Sequence, residues 1–559
     1  MTDAKRSLYH ELLALSERET IRQLDTALGR FVEEASTKGG AGACAQDSTQ
    51  REAWVHLLVQ LVSARLGRGE ISLHFYELSA ASGGYLLQAL ADCVWLKNEG
   101  SSQGGRAEQG SQAEERNAAA LQQATPLVLY NKQIYLRRFW QLEMEVNQQL
   151  QELEESKRLR VITGPPGSGK TTRLKTLIEE KLVTNPSLRV ALAAPTGKAV
   201  HRLQQVLPGQ ANISTLHRLL GIGGQRSLSS LVRQANAQPL AFDLIVVDEA
   251  SMMGLELARA LLNSLLPQAE LLLVGDANQL PSVEPGQVFG SLCKRIGAES
   301  IEYLQTQYRF KLNSAIGLLA KNLQSHNAQA PLSIADVFSY LATPLDKTVQ
   351  CITIESTTDT RLVEQVAEGR LQLITMATAM ATAMRGEPWV RGADGAITRD
   401  GQEPSLQAAL THLLDRLDDA MVLTPFREGP MGSIALNGLF QRALHRRGLL
   451  VSAAGYATGL PVICIENDYD LDLMNGSLGV VVADMCLFNS SHGPRLIALQ
   501  QCPSLEPALA LTVHKAQGSE FNNLIFLLAE SSGNPLSIPL VYTAITRARN
   551  TLTLVATQT

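Results

Sequence analysis

The sequence predicts an α/β chain. It has two halves built on parallel sheets, a small helical region before them and a small antiparallel β insertion in the second half. Three observations carry this expectation. "RLRVIT", "LRVALAAP", "FDLIVVDEA" and "AELLLVGD" are short apolar runs ending in polar residues, as parallel strands buried on both faces do. A second set, "DAMVLTP", "NNLIFLLAE" and "TLTLVATQ", follows in the last third. Between the first run and the helical "KTTRLKTLIEEKL" lies "GPPGSGKTT" at 164–172, a full match to G-x-x-x-x-G-K-[ST] in the strand–loop–helix context that pattern needs.

The bulk numbers bound the rest. A chain of 559 residues holds about three or four domains. Hydrophobic residues are 45% and charged residues 18%, an ordinary globular composition. The net charge of -5 gives no support to a strongly basic nucleic-acid binder but leaves room for a local basic groove. Cys44, Cys93, Cys293, Cys351, Cys464, Cys486 and Cys502 are scattered with no C-x-x-C spacing, so zinc, an iron–sulfur cluster or a disulfide framework is not expected. No apolar run spans a membrane and no signal peptide is visible, which predicts a soluble cytoplasmic protein.

In chain order, residues 1 to about 97 read as helical. Ile21, Leu24, Leu28, Phe31 and Val32 recur at helical spacing, as do Trp54, Leu57, Leu58, Leu61 and Val62. "NEGSSQGGRAEQGSQAEERN" reads as a linker. Expected boundaries are 1–118 for the helical region and linker, 119–335 for the first half and 336–559 for the second. "PLVLYNKQIYL" reads as a hairpin, and "RRFWQLEMEVNQQLQELEESK" as a helix. "GLPVICIENDYDLDLMNGSLGVVVAD" places Asn475-Gly476 between apolar segments, which predicts a β insertion at about 455–510.

The phosphate loop is the strongest chemical signal. Gly164, Pro165, Pro166, Gly167, Ser168, Gly169, Lys170, Thr171 and Thr172 would cradle the phosphates of ATP through backbone N–H groups. Lys170 would reach the β- and γ-phosphates, and Thr171 would hold Mg²⁺. In "IVVDEAS", Asp248 suits a second Mg²⁺ contact and Glu249 suits polarisation of the attacking water. A helix cap is the plain alternative for these acids. Gln279 is an uncharged amide placed to sense the γ-phosphate. Arg309, Arg547 and Arg549 are candidate sources of the charge that phosphoryl transfer needs, although a lone Arg is more often a surface residue. Pro195, Thr196, Gly197 and Lys198 end a strand, and Thr215 and His217 form a second polar cluster. Both suit phosphate-backbone contact, or simple helix capping.

The segments "GPPGSGKTT", "APTGKAVHRL", "TLHRLLG", "VVDEASM", "VGDANQLPSVEPGQVFGSL", "QYRF", "VHKAQGSEF" and "YTAITRAR" appear in the order of superfamily 1 helicase motifs. From about residue 125 onward the chain resembles the RecD family, the alpha subunits of the bacterial RecBCD enzyme (exodeoxyribonuclease V). The resemblance implies two RecA-like domains with ATP and Mg²⁺ in the cleft between them. It implies that Pro195, Thr196, Lys198, Thr215 and His217 face single-stranded DNA from the first domain. Thr512, His514 and Lys515 would face it from the second, while Gly518 and Glu520 face the nucleotide, Glu520 at a ribose hydroxyl. It implies an SH3-like insertion of the 5′-to-3′ branch, and a wedge between "TLHRLLG" and "VVDEASM" with Arg226 and Arg233. Partners would be RecB-like and RecC-like subunits and duplex-end DNA. The N-terminal region would dock on RecC or serve as a generic helical cap. The adenine-reading Gln is one of Gln148, Gln149 and Gln151. No acids cluster with a Lys as a metal-dependent nuclease requires, so the nuclease would lie on another subunit. A free-standing helicase and an ATP switch without unwinding are the competing readings.

Overall fold

A computed structural model describes residues 58–62, 72–74, 96–98, 127–130, 133–207, 212–222, 239–282, 284–304, 314–326, 332–341, 348–384, 390–391, 397–398, 403–449, 452–453, 456–468, 471–490, 493–502, 504–529 and 536–557. The polar linker, the expected wedge and Arg309 lie outside them. Leu127–Tyr130 and Gln133–Leu136 pair antiparallel, the hairpin expected from "PLVLYNKQIYL". Two three-residue strands, Ser72–His74 and Leu96–Asn98, flank that hairpin. They fall in the region read as helical, and at that length no period exists to reveal them.

Helix α1, Arg137–Glu155, buries Leu142, Val146, Leu150 and Leu153. These recur every three to four residues and put one apolar stripe on the core. The first sheet follows: β1 Leu159–Thr163, β2 Val190–Ala194, β3 Asn212–Thr215, β4 Leu244–Val247, β5 Glu270–Gly275 and β6 Ile301–Tyr303. All its pairings are parallel, in the order β6-β1-β5-β4-β2-β3. Helices α2 Lys170–Thr184 and α3 Gly197–Val206 follow β1 and β2, and the short α4 Leu216–Leu219 follows β3. Every residue of β4 is buried. Burying its four Leu, Ile and Val side chains contributes roughly 1.5–3 kcal/mol each, enough to fix the backbone that presents a buried carboxylate at Asp248.

The second sheet is also wholly parallel. Its strands are β7 Val349–Ile354 and β8 Ala420–Thr424, then β14 Ala510–Thr512, β15 Phe521–Leu528 and β16 Ala548–Thr557. The order is β7-β16-β15-β8-β14. Between β7 and β8 runs α5, Thr360–Met384, which buries Leu362, Val366, Arg370, Leu373, Ala377 and Ala381. Helix α6, Ser433–Arg446, follows β8, and α7, Ile538–Ile545, precedes β16.

The insertion is a five-stranded antiparallel sheet of β9 Pro461–Cys464, β10 Leu478–Val482, β11 Met485–Ser490, β12 Gly493–Ala498 and β13 Leu505–Pro507. Its order is β12-β11-β10-β9-β13. Gly476 in the β9–β10 connection has φ 91°, a left-handed conformation that Gly adopts without strain. Gly479 faces Phe488 so closely that a Cβ there would stand 2.6 Å from the ring.

Candidate active site

The phosphate loop is shaped by its glycines. Gly167 and Gly169 have φ of 76° and 83°, which other residues reach only with strain. A Cβ on Gly164 would stand 2.7 Å from both the Leu304 carbonyl and Ser168 Oγ. Gly169 caps α2 without a side chain, leaving the first-turn N–H groups for an anion. Ser168 Oγ is buried and has no hydrogen-bond partner among the described residues, a costly arrangement unless a ligand oxygen completes it. Lys170 Nζ donates to the Gly164 and Pro165 carbonyls at 2.7 and 3.0 Å, oxygens that stand in for those of a phosphate. The loop therefore fits a nucleoside triphosphate. Thr171 is half-buried and Thr172 exposed at the start of α2.

Asp248 and Glu249 directly follow β4. Asp248 is 7% exposed, and its Oδ1 accepts the Glu249 N–H at 2.9 Å. Burial, then the Glu249 charge, pushes the Asp248 carboxyl up to about 6, against the pull of Lys170 and Arg202. Glu249 holds φ 51°, a strained turn for a non-Gly residue. Among the described residues no three-ligand metal cluster exists. A metal here would rest on the Thr171 hydroxyl, the Asp248 carboxylate and the ligand's own oxygens.

The end of β5 supplies a residue that sequence reasoning passed over. Asp276 is 1% exposed and raised by burial, with Lys170 the largest opposing influence. It accepts Gln279 Nε2 at 3.1 Å, the Asn278 N–H at 3.0 Å and the Tyr542 hydroxyl at 3.2 Å. Its signal was visible: an acid directly after a buried strand, as at Asp248. Around it the two lobes are tied together. The Leu280 N–H donates to Thr543 Oγ1 at 2.6 Å, and Gln517 Nε2 donates to the Leu280 carbonyl at 2.7 Å.

The expected second-lobe residues gather along this seam. Arg547 is 2% exposed, and its guanidinium donates to the Thr543 and Ser519 carbonyls at 3.1 and 3.4 Å. Arg549 Nε donates to Glu520 Oε2 at 3.3 Å. Gly518 has φ 72°, and a Cβ on it would stand 3.8 Å from Thr196 Oγ1. Glu520 also pairs with Arg202 of the first lobe at 3.4 Å, so ion pairs hold the carboxylate offered for the ribose.

The expected DNA contacts are more occupied than the sequence implied. Thr196 and Thr215 are the N-caps of α3 and α4, accepting the Ala199 and Arg218 N–H groups at 3.4 and 3.2 Å. Thr512 Oγ1 accepts the Lys515 N–H at 3.3 Å. Lys515 Nζ donates to Glu506 of the insertion at 2.6 Å, where Arg427 also pairs at 2.7 Å. Burial pulls His217 and His514 below the usual imidazole range and favours their neutral form. Pro195 is half-buried between β2 and α3, and Lys198 faces Asp418 across the cleft. Gln148, Gln149 and Gln151 bond to Glu152, Asn263 and Glu155, which singles none of them out for adenine.

Comparison with known proteins places this site in a family. The model of the RecBCD enzyme subunit RecD N-terminal domain matches residues 17–135. An AAA domain matches 147–285, and a UvrD-like helicase C-terminal domain matches 507–555. A RecBCD enzyme subunit RecD of Mycolicibacterium smegmatis is 33% identical over 424 residues, spanning 72% of this chain and 69% of that one. The chain belongs to the RecD family. A RecBCD enzyme subunit RecD of Mycobacterium tuberculosis is 29% identical over 76% of this chain and 71% of its own. An ATP-dependent RecD2 DNA helicase of Deinococcus radiodurans is 32% identical over 70% of this chain and 46% of its own. As a RecD-family chain with a phosphate loop facing a second parallel-sheet lobe, the protein is an ATP-dependent helicase. No helix among the described residues is long and apolar enough to cross a membrane.

Proposed function

We propose that the chain is a 5′-to-3′ DNA motor of a RecBCD-type complex, working in the bacterial cytoplasm with RecB-like and RecC-like subunits on duplex ends and single strands. The observation that carries this is the seam of Asp276, Leu280, Gln517, Tyr542 and Thr543, which ties the phosphate-loop lobe to the lobe carrying Arg547. A change at the phosphates is then felt in both lobes, as a closing and reopening cleft requires. The domain limits are 1–118, 119–335 and 336–559, with the insertion at about 455–510. The two parallel sheets, at 159–303 and 349–557, lie on either side of the 335/336 limit, whereas the four-stranded sheet of 72–74, 96–98, 127–130 and 133–136 crosses the 118/119 limit.

Bound ATP with Mg²⁺ supplies the scissile γ-phosphate. The loop from Gly164 to Thr172 holds the triphosphate, and Lys170 exchanges the Gly164 and Pro165 carbonyls for phosphate oxygens. Thr171 and Asp248 would hold Mg²⁺, which would offset the charge of the phosphates. Glu249 orients the attacking water and accepts its proton. Gln279, held by Asp276, reports the γ-phosphate. Arg309 and Arg547 neutralise the charge that develops on it. Arg547 must leave the Thr543 and Ser519 carbonyls to do so, which makes those bonds the resting position of a finger. Gly518 and Glu520 border the nucleotide. Pro195, Thr196, Lys198, Thr215 and His217 grip the strand from one lobe and Thr512, His514 and Lys515 from the other. Polarity rests on likeness of the insertion to that of the 5′-to-3′ branch.

Unwinding of 5′-tailed and 3′-tailed duplexes by the chain, alone and with RecB-like and RecC-like subunits, tests this reading. Unwinding of 5′-tailed duplex with the partners, lost in Lys170→Gln, is expected. Unwinding of 3′-tailed duplex only would sink the polarity. Full activity without any partner association would favour a free-standing helicase.

A further inference from the structure

One face of α3 is directed at the second lobe. Gly197, Lys198, His201 and Arg202 lie a turn apart on it, and each has a cross-cleft neighbour. A Cβ on Gly197 would stand 2.4 Å from Met474 Cβ. Lys198 Nζ lies 3.9 Å from Asp418 Oδ1. Asn489 Nδ2 donates to His201 Nε2 at 2.9 Å, and Arg202 lies 3.4 Å from Glu520. Arg549 bridges the two carboxylates, 3.3 Å from Glu520 and 4.0 Å from Asp418. Three cations from both lobes therefore share two carboxylates.

Asp418 lies in none of the helicase segments, yet its position is built. It ends a short 3-10 helix, Arg416–Asp418, that leads into β8. Arg370, 1% exposed on the buried stripe of α5, donates to the Leu417 carbonyl at 2.9 Å. The adjoining Asp419 accepts Arg416 at 3.1 Å and Asn522 at 3.0 Å. The turn is thus pinned on both sides of Asp418, while Asp418 and Lys198 keep 31% and 33% of their side-chain surface exposed. The pair is long at 3.9 Å and only part-exposed, and burial draws Lys198 below the usual ammonium range against the pull of Asp418 and Glu520, so Asp418 holds Lys198 weakly enough to be replaced.

We propose that Asp418 is a positioning residue that competes with the phosphodiester backbone of the DNA strand for Lys198. In the closed cleft it holds Lys198 beside Arg549. When a strand enters, a phosphate takes Lys198 and Asp418 is left with Arg549. Asp418 thereby sets strand affinity without touching the strand, and keeps the first-lobe grip from being permanently engaged. The proposal rests on the reading of the chain as a strand-binding motor.

The test is binding of a fluorescent oligodeoxythymidylate by the full chain over a series of salt concentrations. Asp418→Asn should bind about three- to tenfold tighter at low salt, with a steeper salt dependence by up to about 0.7 in log–log slope, as one more neutralised phosphate gives. Asp418→Glu should behave as wild type. In a Lys198→Ala background, Asp418→Asn should change nothing, because the coupling runs through Lys198. Unchanged or weaker binding by an Asp418→Asn chain that melts like wild type would overturn the proposal. So would a gain that persists in the Lys198→Ala background. A Lys198→Ala chain that keeps wild-type affinity overturns it however the Asp418 variants fold. If the wild-type chain does not bind the oligonucleotide at all, the motor reading itself falls.

Discussion

The phosphate loop and the run from Leu511 to Glu520 are both short, polar and glycine-bearing, but they are organised over different distances. In the loop, Lys170 bonds to Gly164 and Pro165, and the Ser168 N–H to the Pro165 carbonyl. These partners lie within six residues, and the one distant backbone bond among the described residues, from the Gly164 N–H to the Gly275 carbonyl at 3.3 Å, stays within the same lobe. In the later run, Gln517 reaches Leu280, 237 residues away, and Glu520 meets Arg202, 318 residues away. A cradle made of local backbone keeps its shape whatever the other lobe does. A run whose side chains end on the other lobe changes when the lobes move, which suits it to coupling.

Four measurements can break or sharpen this contrast. Lys170→Gln should lower ATP turnover by at least about a hundredfold, the order of loss when one transition-state donor is removed. Phosphate release at saturating ATP checks it, and near-normal turnover would remove the loop from the chemistry. Tyr542→Phe takes one donor from the buried Asp276 carboxylate and should cost about 1.5–3 kcal/mol, read by thermal or denaturant unfolding. Its DNA-stimulated turnover should fall further than its basal turnover. Equal losses would mean that the seam is only structural.

The acid limb of turnover should sit near pH 6 at low Mg²⁺. The Asp248 carboxyl titrates at about 6, so lowering pH through that value protonates the group that must bind metal. Saturating Mg²⁺ should move the limb to lower pH, because metal and proton compete for the same oxygens. A limb that ignores Mg²⁺ would exclude Asp248 as the ligand. Smallest of all, Lys515→Ala should weaken DNA-stimulated turnover by a few-fold, since its half-exposed pair with Glu506 contributes about 1 kcal/mol or less. His514→Ala should act in the same direction, whereas Glu520→Ala should weaken ATP use. Uniform loss across the three would remove the division of labour within the run.

Much of the core was legible because its strands are buried on both faces and so read as continuous apolar runs, β4 most plainly. Asn475-Gly476 announced its turn because positive φ selects such residues. Helix α5 was not legible. Its buried stripe includes Arg370, Ala377 and Ala381, and a buried Arg among alanines hides the period on which the reading depends. Thr196 and Thr215 were ambiguous between capping and strand contact. The geometry shows the caps, and a capping hydroxyl keeps a lone pair for a second role.

By itself the sequence determined the phosphate loop, the two sets of parallel strands and the order of the helicase segments. These depend on local backbone freedom and on burial, which leave marks within a few residues. Only the tertiary structure decided what the cations of the cleft meet. Lys198 lies against Asp418, Arg202 and Arg549 share Glu520, and Tyr542 donates to Asp276. Charge pairing acts through space and depends on distance and surroundings, not on separation along the chain, so partners such as Arg202 and Glu520, 318 residues apart, leave no trace in the spacing of either.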